Sequence, residues 1–369
     1  FYGIMLSGGF DVIIGNPPYV DYNVVKKDYK VKGYKSESCN NLYGYCIERS
    51  LNILAKNGRC GMIVPLSLTF SRDFISIRQM LIETKGTLWQ SSYDNIPDRL
   101  FTGVKESSNT SKSNQQRTTI FITDQTPNCF SIHSSPLLRW KAIERYRLFS
   151  ELEITNTTSI SNKNAFPKVG NEKLFAFYSK WFSQSNKLAS TMVTTSSYSL
   201  VVPKTAGYYI AAYPEEMDRT KQSILHFRTR DERDFAFVLL NSNVFFWLWR
   251  VSGDGFDVTM STISSCPIFK PSNSIHSKIA EEMYQALPEC TVYKAYRGVN
   301  VPNVNFNLRM DLLFKADDWI INNIAPDLEL SSLDFLWSKS NSCFRMSVPK
   351  SANYPFDFDF LNAFQTIDD

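Results

Sequence analysis

The sequence predicts an α/β fold over residues 1–150, followed by a mixed α+β domain over residues 151–369. Three observations carry this reading. Short apolar runs alternate with stretches of helical period in the first third of the chain, the rhythm of an open sheet with parallel strands. The run Phe10-Asp11-Val12-Ile13-Ile14 leads directly into Gly15-Asn16-Pro17-Pro18-Tyr19, a strand broken by a tight loop. From about Ala165 the texture changes to short strand-like pieces mixed with helices.

The elements follow in order. Two consecutive prolines remove two backbone donors, so neither helix nor sheet ladder continues through Pro17 and Pro18. Residues 40–56 carry Leu42, Tyr45, Cys46, Arg49, Leu51 and Leu54 at helical spacing, with Asn40 or Asn41 as N-cap. Asn57-Gly58 ends that helix, and Cys60–Pro65 reads as a second buried strand. Residues 72–85 predict another amphipathic helix, Thr87–Ser91 a third strand and Thr118–Thr123 a fourth. The polar run 106–116 is a solvated loop, and the polar stretch Thr155–Lys163 is the expected domain boundary. Beyond it, Tyr198–Pro203 and Tyr208–Tyr213 read as strands and Asp234–Arg250 as the strongest helical segment.

Composition narrows the function classes. A chain of 369 residues with 43% hydrophobic and 21% charged residues is ordinary for a globular protein of two or three domains. A formal charge of +4 permits a polyanionic partner without demanding one. The seven cysteines (39, 46, 60, 129, 266, 290, 343) contain no CxxC pair, and the three histidines (133, 226, 276) lie far apart. Neither pattern has metal-ligand spacing or suggests a disulfide framework, so no metal and a reducing, cytoplasmic setting are expected. No apolar stretch reaches the roughly 18 residues that span a bilayer, and no membrane association is expected.

Asn16-Pro17-Pro18-Tyr19 after an apolar strand resembles the catalytic motif of DNA adenine-N6 methyltransferases. The resemblance continues along the chain. Residues 57–65 (NGRCGMIVP) are similar to the strand that follows the motif in enzymes with gamma-type motif order. Ile77-Arg78-Gln79-Met80-Leu81 and Leu100-Phe101-Thr102-Gly103-Val104 are similar to the next two segments. Leu239-Leu240-Asn241-Ser242 and Gly253-Asp254-Gly255-Phe256 resemble recognition domains of type IIG restriction-modification enzymes and their phage-defence relatives.

That likeness implies the C-terminal half of a Rossmann-like methyltransferase sheet joined to a DNA target-recognition domain. The implied activity is methyl transfer from S-adenosyl-L-methionine (AdoMet) to an adenine flipped out of double-stranded DNA. Asn16 and Pro17 would accept hydrogen bonds from the amino group, with Pro18 stiffening the turn. Tyr19 and Phe101 would line the flipped-base pocket. The glycine-rich AdoMet loop and its ribose-binding acid lie upstream of the motif in the family, and this sequence has neither. The cofactor-binding residues therefore stay unassigned. A preceding half, on this polypeptide or another, is the expected partner, and Val12, Ile13 and Ile14 would form a sheet edge without it.

Other constellations carry less. Asp73, Glu83 and Lys85 mimic a nuclease D…ExK site, but all three fall on or beside a predicted helix. The basic run Arg139, Lys141, Arg145, Arg147 is a candidate phosphate contact or a solvated helix face. Two rival functions remain. One is a DNA-binding recognition module without activity by itself. The other is a protein-glutamine methyltransferase, which also uses NPPY but usually ends about 100 residues past it.

Overall fold

The computed structural model describes residues 2–28, 30–96, 99–100, 116–126, 130–140, 145–146, 148–150, 152–217, 221–271, 273–296 and 299–337. The chain divides into two units, Phe1–Phe175 and Ala176–Asp369.

The first unit begins with a short helix α1 (Tyr2–Leu6) and strand β1 (Phe10–Gly15). After a single-turn helix α2 (Tyr22–Val25), helix α3 spans Leu42–Ile53. The Asn41 side chain caps α3 by accepting from the Tyr43 N–H. Strand β2 (Leu54–Pro65), helix α4 (Ile75–Glu83) and strands β3 (Thr87–Tyr93), β4 (Thr118–Asp124), β5 (Ser131–Leu138) and β6 (Thr155–Asn156) follow. The six strands form one sheet in the order β1-β2-β4-β3-β5-β6. β1 runs parallel to β2, and β3 parallel to β5. β4, expected to continue a parallel order, is antiparallel to both β2 and β3, between which it is inserted. The strand itself was legible from its β-branched residues, but its direction depends on the connection from residue 94 to 117. Gly86 enters β3 so close to β4 that a Cβ there would run into the Asp124 carbonyl.

Alternation along the strands separates two faces. One packs under α3 and α4, where Ile47, Cys60, Met62, Val64, Ile77, Leu81, Leu88, Phe121 and Ile132 form the core. The other carries Val12 (58% exposed), Ile14 (84%) and Ile122 (46%). β1 is thus an edge strand with apolar side chains in solvent.

The expected boundary at residue 150 falls inside this unit. Thr155–Asn156 adds β6 to the sheet, and the Thr157 N–H donates to the Ile132 carbonyl. Phe166 to Gly170 are buried: the Phe166 N–H reaches the Thr69 carbonyl, and Ser134 donates to the Pro167 carbonyl. The polar residues that suggested a linker are an edge strand and its turn.

Helix α5 (Glu172–Phe182) crosses the division. The second unit holds a three-stranded antiparallel sheet of β7 (Met192–Val193), β8 (Tyr198–Pro203) and β9 (Gln222–Phe227), in the order β7-β9-β8. Its helices are α6 (Arg230–Asn241), α7 (Asn243–Ser252), α8 (Met260–Ser264), α9 (Ile275–Cys290), α10 (Met310–Ile324) and α11 (Ser332–Trp337). A hairpin of β10 (Thr291–Tyr296) and β11 (Val299–Val304) lies between α9 and α10.

Two expectations change here. Tyr208–Tyr213 is not a strand; only Tyr213 bridges to Val201. Asp234–Arg250 is two helices bent by 69°. Asn241 turns its amide to the Ala212 backbone, both donating and accepting, while Ser242 caps α7 through the Phe245 N–H. The buried Asp317 carboxylate on α10 accepts from the Asn243 N–H, the Asn243 amide and the Val244 N–H. Among the described residues no single helix is long and apolar enough to cross a membrane, and the residues of α7 from Asn243 to Val251 are buried in the protein.

Candidate active site

β1, β2, β3 and β5 all run the same way, so their carboxyl ends share one sheet edge with the amino end of β4. Asn16-Pro17-Pro18-Tyr19 leaves β1 at that edge. Pro17 is buried, Asn16 and Pro18 are exposed, and Tyr19 is half-buried. The Asn16 side chain is left without a hydrogen-bond partner within the described chain.

Tyr19 anchors the turn. Its hydroxyl donates to the Ile63 carbonyl of β2 at 2.8 Å. Its ring meets Tyr43 edge-on, with centroids 6.2 Å apart, and Tyr43 stacks on Phe74 at 4.7 Å. The Tyr43 hydroxyl lies 2.7 Å from that of Ser67, in the loop after β2. Burial pushes the Tyr19 phenol up to about 12, and Tyr43 further still. Both therefore stay neutral near pH 7.

The loop after β2 is held by Arg78 of α4, a fully buried guanidinium. It donates to three carbonyls, of Leu68, Ser71 and Lys163, each at 2.8 Å. Burial lowers its pKa to about 10. The sequence marked Arg78 only by resemblance; its partners lie before and after it in the chain, where periodicity says nothing.

Farther along the edge, Asp94 follows β3 and is 1% exposed. It accepts from Arg117 at 2.7 Å, just before β4, and from Arg139 at 2.9 Å, just after β5. Three strand ends are drawn together by one carboxylate. Arg139 is itself 1% exposed, which corrects its reading as part of a surface basic face. In sequence it belongs to a charge run; in the fold it is an internal partner of Asp94. Arg145 is exposed, lies over the Trp140 ring at 4.9 Å, and donates to the Arg99 and Leu100 carbonyls. Phe101, Lys141 and Arg147 lie outside the described residues.

The nuclease-like residues do not assemble. Asp73 sits in a short 3-10 turn, Glu83 ends α4, and Lys85 lies just past it, with φ of 55°. No group of three His, Cys, Asp or Glu side chains among the described residues could hold a metal ion. Cys39, Cys60, Cys266 and Cys290 are buried, free thiols.

The chain is 10% identical to the type IIL restriction-modification enzyme MmeI in complex with DNA. That match covers 88% of this chain and 55% of MmeI, with a TM-score of 0.47. A nuclease-deletion mutant of the type ISP restriction-modification enzyme LlaGI, bound to a DNA substrate mimic, is also 10% identical. There 91% of this chain and 52% of the other are covered, with a TM-score of 0.42. A putative class I S-adenosylmethionine-dependent methyltransferase from Listeria monocytogenes is 16% identical over 33% of this chain and 35% of its own, at a TM-score of 0.22. The chain thus spans about half the length of the two restriction-modification proteins or less of its other neighbour. No curated protein matches. Residues 1–95, the stretch that carries NPPY, α3, β2 and α4, match the family of Eco57I restriction-modification methylases.

Proposed function

We propose that this chain carries the acceptor side and the recognition domain of a site-specific DNA adenine-N6 methyltransferase. The observation that carries the reading is the exposed, unpartnered Asn16 amide at the carboxyl end of β1, backed by buried Pro17 and anchored Tyr19. The family match over residues 1–95 supports it.

Adenine's exocyclic nitrogen is a poor nucleophile because its lone pair is delocalised into the ring. The Asn16 side-chain oxygen and the Pro17 carbonyl accept from its two N–H groups, so the nitrogen can pyramidalise and its lone pair is freed. The Tyr19 ring supports the flipped base by stacking, a contact worth about 1–3 kcal/mol. No tuned base is required, since the proton leaves only from a nitrogen already made cationic. AdoMet, when bound, supplies the electrophilic methyl group.

The residues that hold AdoMet belong, on this reading, to a further half-sheet pairing with the free edge of β1 and covering Val12 and Ile14. Parallel sheets are normally covered on both faces, and an open apolar edge invites such a partner. Target reading belongs to residues beyond about 165.

The test is transfer of labelled methyl from AdoMet to duplex DNA, with the preceding half present on the same or a second chain. N6-methyladenine is the expected product. Asn16→Ala should cut turnover 10²–10³-fold, about 2.7–4 kcal/mol, while DNA affinity stays near wild type. A variant keeping more than roughly a tenth of turnover would overturn the assignment of Asn16. Label in a protein glutamine would favour the rival methyltransferase, and DNA binding without transfer a recognition module.

A further inference from the structure

Between NPPY and α3 lies the sequence Lys26-Lys27-Asp28-Tyr29-Lys30-Val31-Lys32-Gly33-Tyr34-Lys35. Five lysines against one aspartate leave +4 in ten residues, as much as the formal charge of the whole chain. All five are exposed. Among the described residues none is paired with a carboxylate; Lys26 alone makes a side-chain contact, to the Asn23 amide oxygen at 3.1 Å.

The carboxylates around this loop are engaged elsewhere. Asp21 accepts from the Asn23 N–H and the Asn40 amide. Glu37 accepts from the Gly33 N–H. Glu48, on α3 and 4% exposed, accepts from the Lys35 N–H at 3.0 Å, the Ser36 N–H at 2.8 Å and the Ser36 hydroxyl at 2.6 Å. The Tyr22 phenol takes the Val31 N–H, and Tyr22 and Tyr34 both pack on Tyr45. At its base the loop is closed by the Leu42 N–H on the Val20 carbonyl and the Tyr22 N–H on the Asn40 carbonyl.

A stretch serving only solubility has no use for a buried glutamate beneath it, because burying a carboxylate is costly unless its bonds order something. Here the acids fix the backbone while the ammonium groups stay in solvent. The base of the loop, Tyr22 on Asn40, lies three residues past Tyr19, and the lysines follow Tyr19 by seven to sixteen residues. Clustered, unpaired lysines on an ordered frame are suited to polyanion phosphates, where each contact releases a counterion.

We propose that Lys27, Lys30, Lys32 and Lys35 form a phosphate clamp that grips the DNA backbone next to the flipped adenine. The clamp rests on the methyltransferase reading for its partner, but its test does not require methyl transfer. A fluorescent duplex is titrated with the full chain across about 50–200 mM salt, and the slope of log affinity against log salt is taken. Lys27→Gln/Lys30→Gln and Lys32→Gln/Lys35→Gln should each flatten the slope by about two and weaken binding on the order of tenfold or more at low salt. The charge-matched control is Lys56→Gln/Lys85→Gln, two exposed lysines at the opposite ends of β2 and β3. It should leave the slope within about half a unit of wild type. Equal losses in control and loop variants, or none in the loop variants, would overturn the clamp while leaving DNA binding intact. Loop variants that instead lose only an acidic protein partner would overturn it too. No binding of any duplex by the wild-type chain would overturn both the clamp and the DNA reading. Thermal melting of each variant should match wild type, as the side chains are exposed.

Discussion

The Tyr19 hydroxyl bonds to the Ile63 carbonyl at 2.8 Å, so the fourth residue of NPPY is tied to the neighbouring strand by its side chain. The residue thus has two separable parts, a ring and an anchor. Tyr19→Phe keeps the ring and should cost about 1 kcal/mol of stability, with turnover reduced only a few-fold. On the proposed methyltransferase function, Tyr19→Ala should lose base stacking as well, with a much weaker fluorescence response from 2-aminopurine at the target. If Phe proved as damaging as Ala in the methyl-transfer assay, the hydroxyl rather than the ring would be the working part.

Arg78 gives a sharper stability prediction. Its three carbonyl partners are left without a donor in Arg78→Met, and a loss of roughly 3 kcal/mol or more is expected from desolvated, unpaired groups. Arg78→Lys should rescue only part, since one ammonium cannot reach three carbonyls with the geometry of a guanidinium. Denaturant melting of the variants would decide; a lysine variant as stable as wild type would remove Arg78 from this role.

High pH should loosen the fold in a defined window. Burial holds Tyr19 and Tyr178 up to about 12, and Tyr43 and Tyr284 are raised as well. An unfolded phenol ionises near its ordinary value of 10.0. From there upward the unfolded chain binds fewer protons than the folded one, so stability is whole below pH 10 and falls as pH rises toward 12. Tyrosinate absorbance should accordingly rise in two phases, the later one coinciding with loss of structure. A single phase centred on the ordinary value would contradict these burials.

In the second unit the bend between α6 and α7 hangs on Asp317. Asp317→Ala should destabilise by about 2–4 kcal/mol, because buried N–H groups at the start of α7 lose a charged acceptor. Asp317→Asn retains an oxygen and should cost less. Hydrogen exchange at the amides of Asn243 and Val244 would report it directly.

These cases also mark how far the sequence alone could be read. β1, the strand 60–65, α3 and the Thr118–Thr123 strand were legible because apolar period and N-cap chemistry are local. NPPY was legible for the same reason, being contiguous. The reversal of β4 was not, because strand direction is decided by what pairs across the sheet. The apolar period runs on through Ser242; the local sign of the break is the Ser242 cap on α7, while the acceptor Asp317 on α10 lies 74 positions from Asn243. Arg139 looked like a surface charge because its partner, Asp94, is 45 positions away. The lysine loop was missed for a simpler reason: a whole-chain total of +4 does not say that all of it sits in ten residues.

The reversed strand has a last consequence. Tyr93 and Thr118 are paired at the base of the β3–β4 hairpin, and Asp94 and Arg117 clasp each other just above them. Both ends of the intervening segment are therefore pinned on the NPPY edge, whatever its length. Such a clasp makes the segment an interchangeable part. It can be lengthened, shortened or replaced without resetting one strand pairing, and every such change begins and ends at the same two residues.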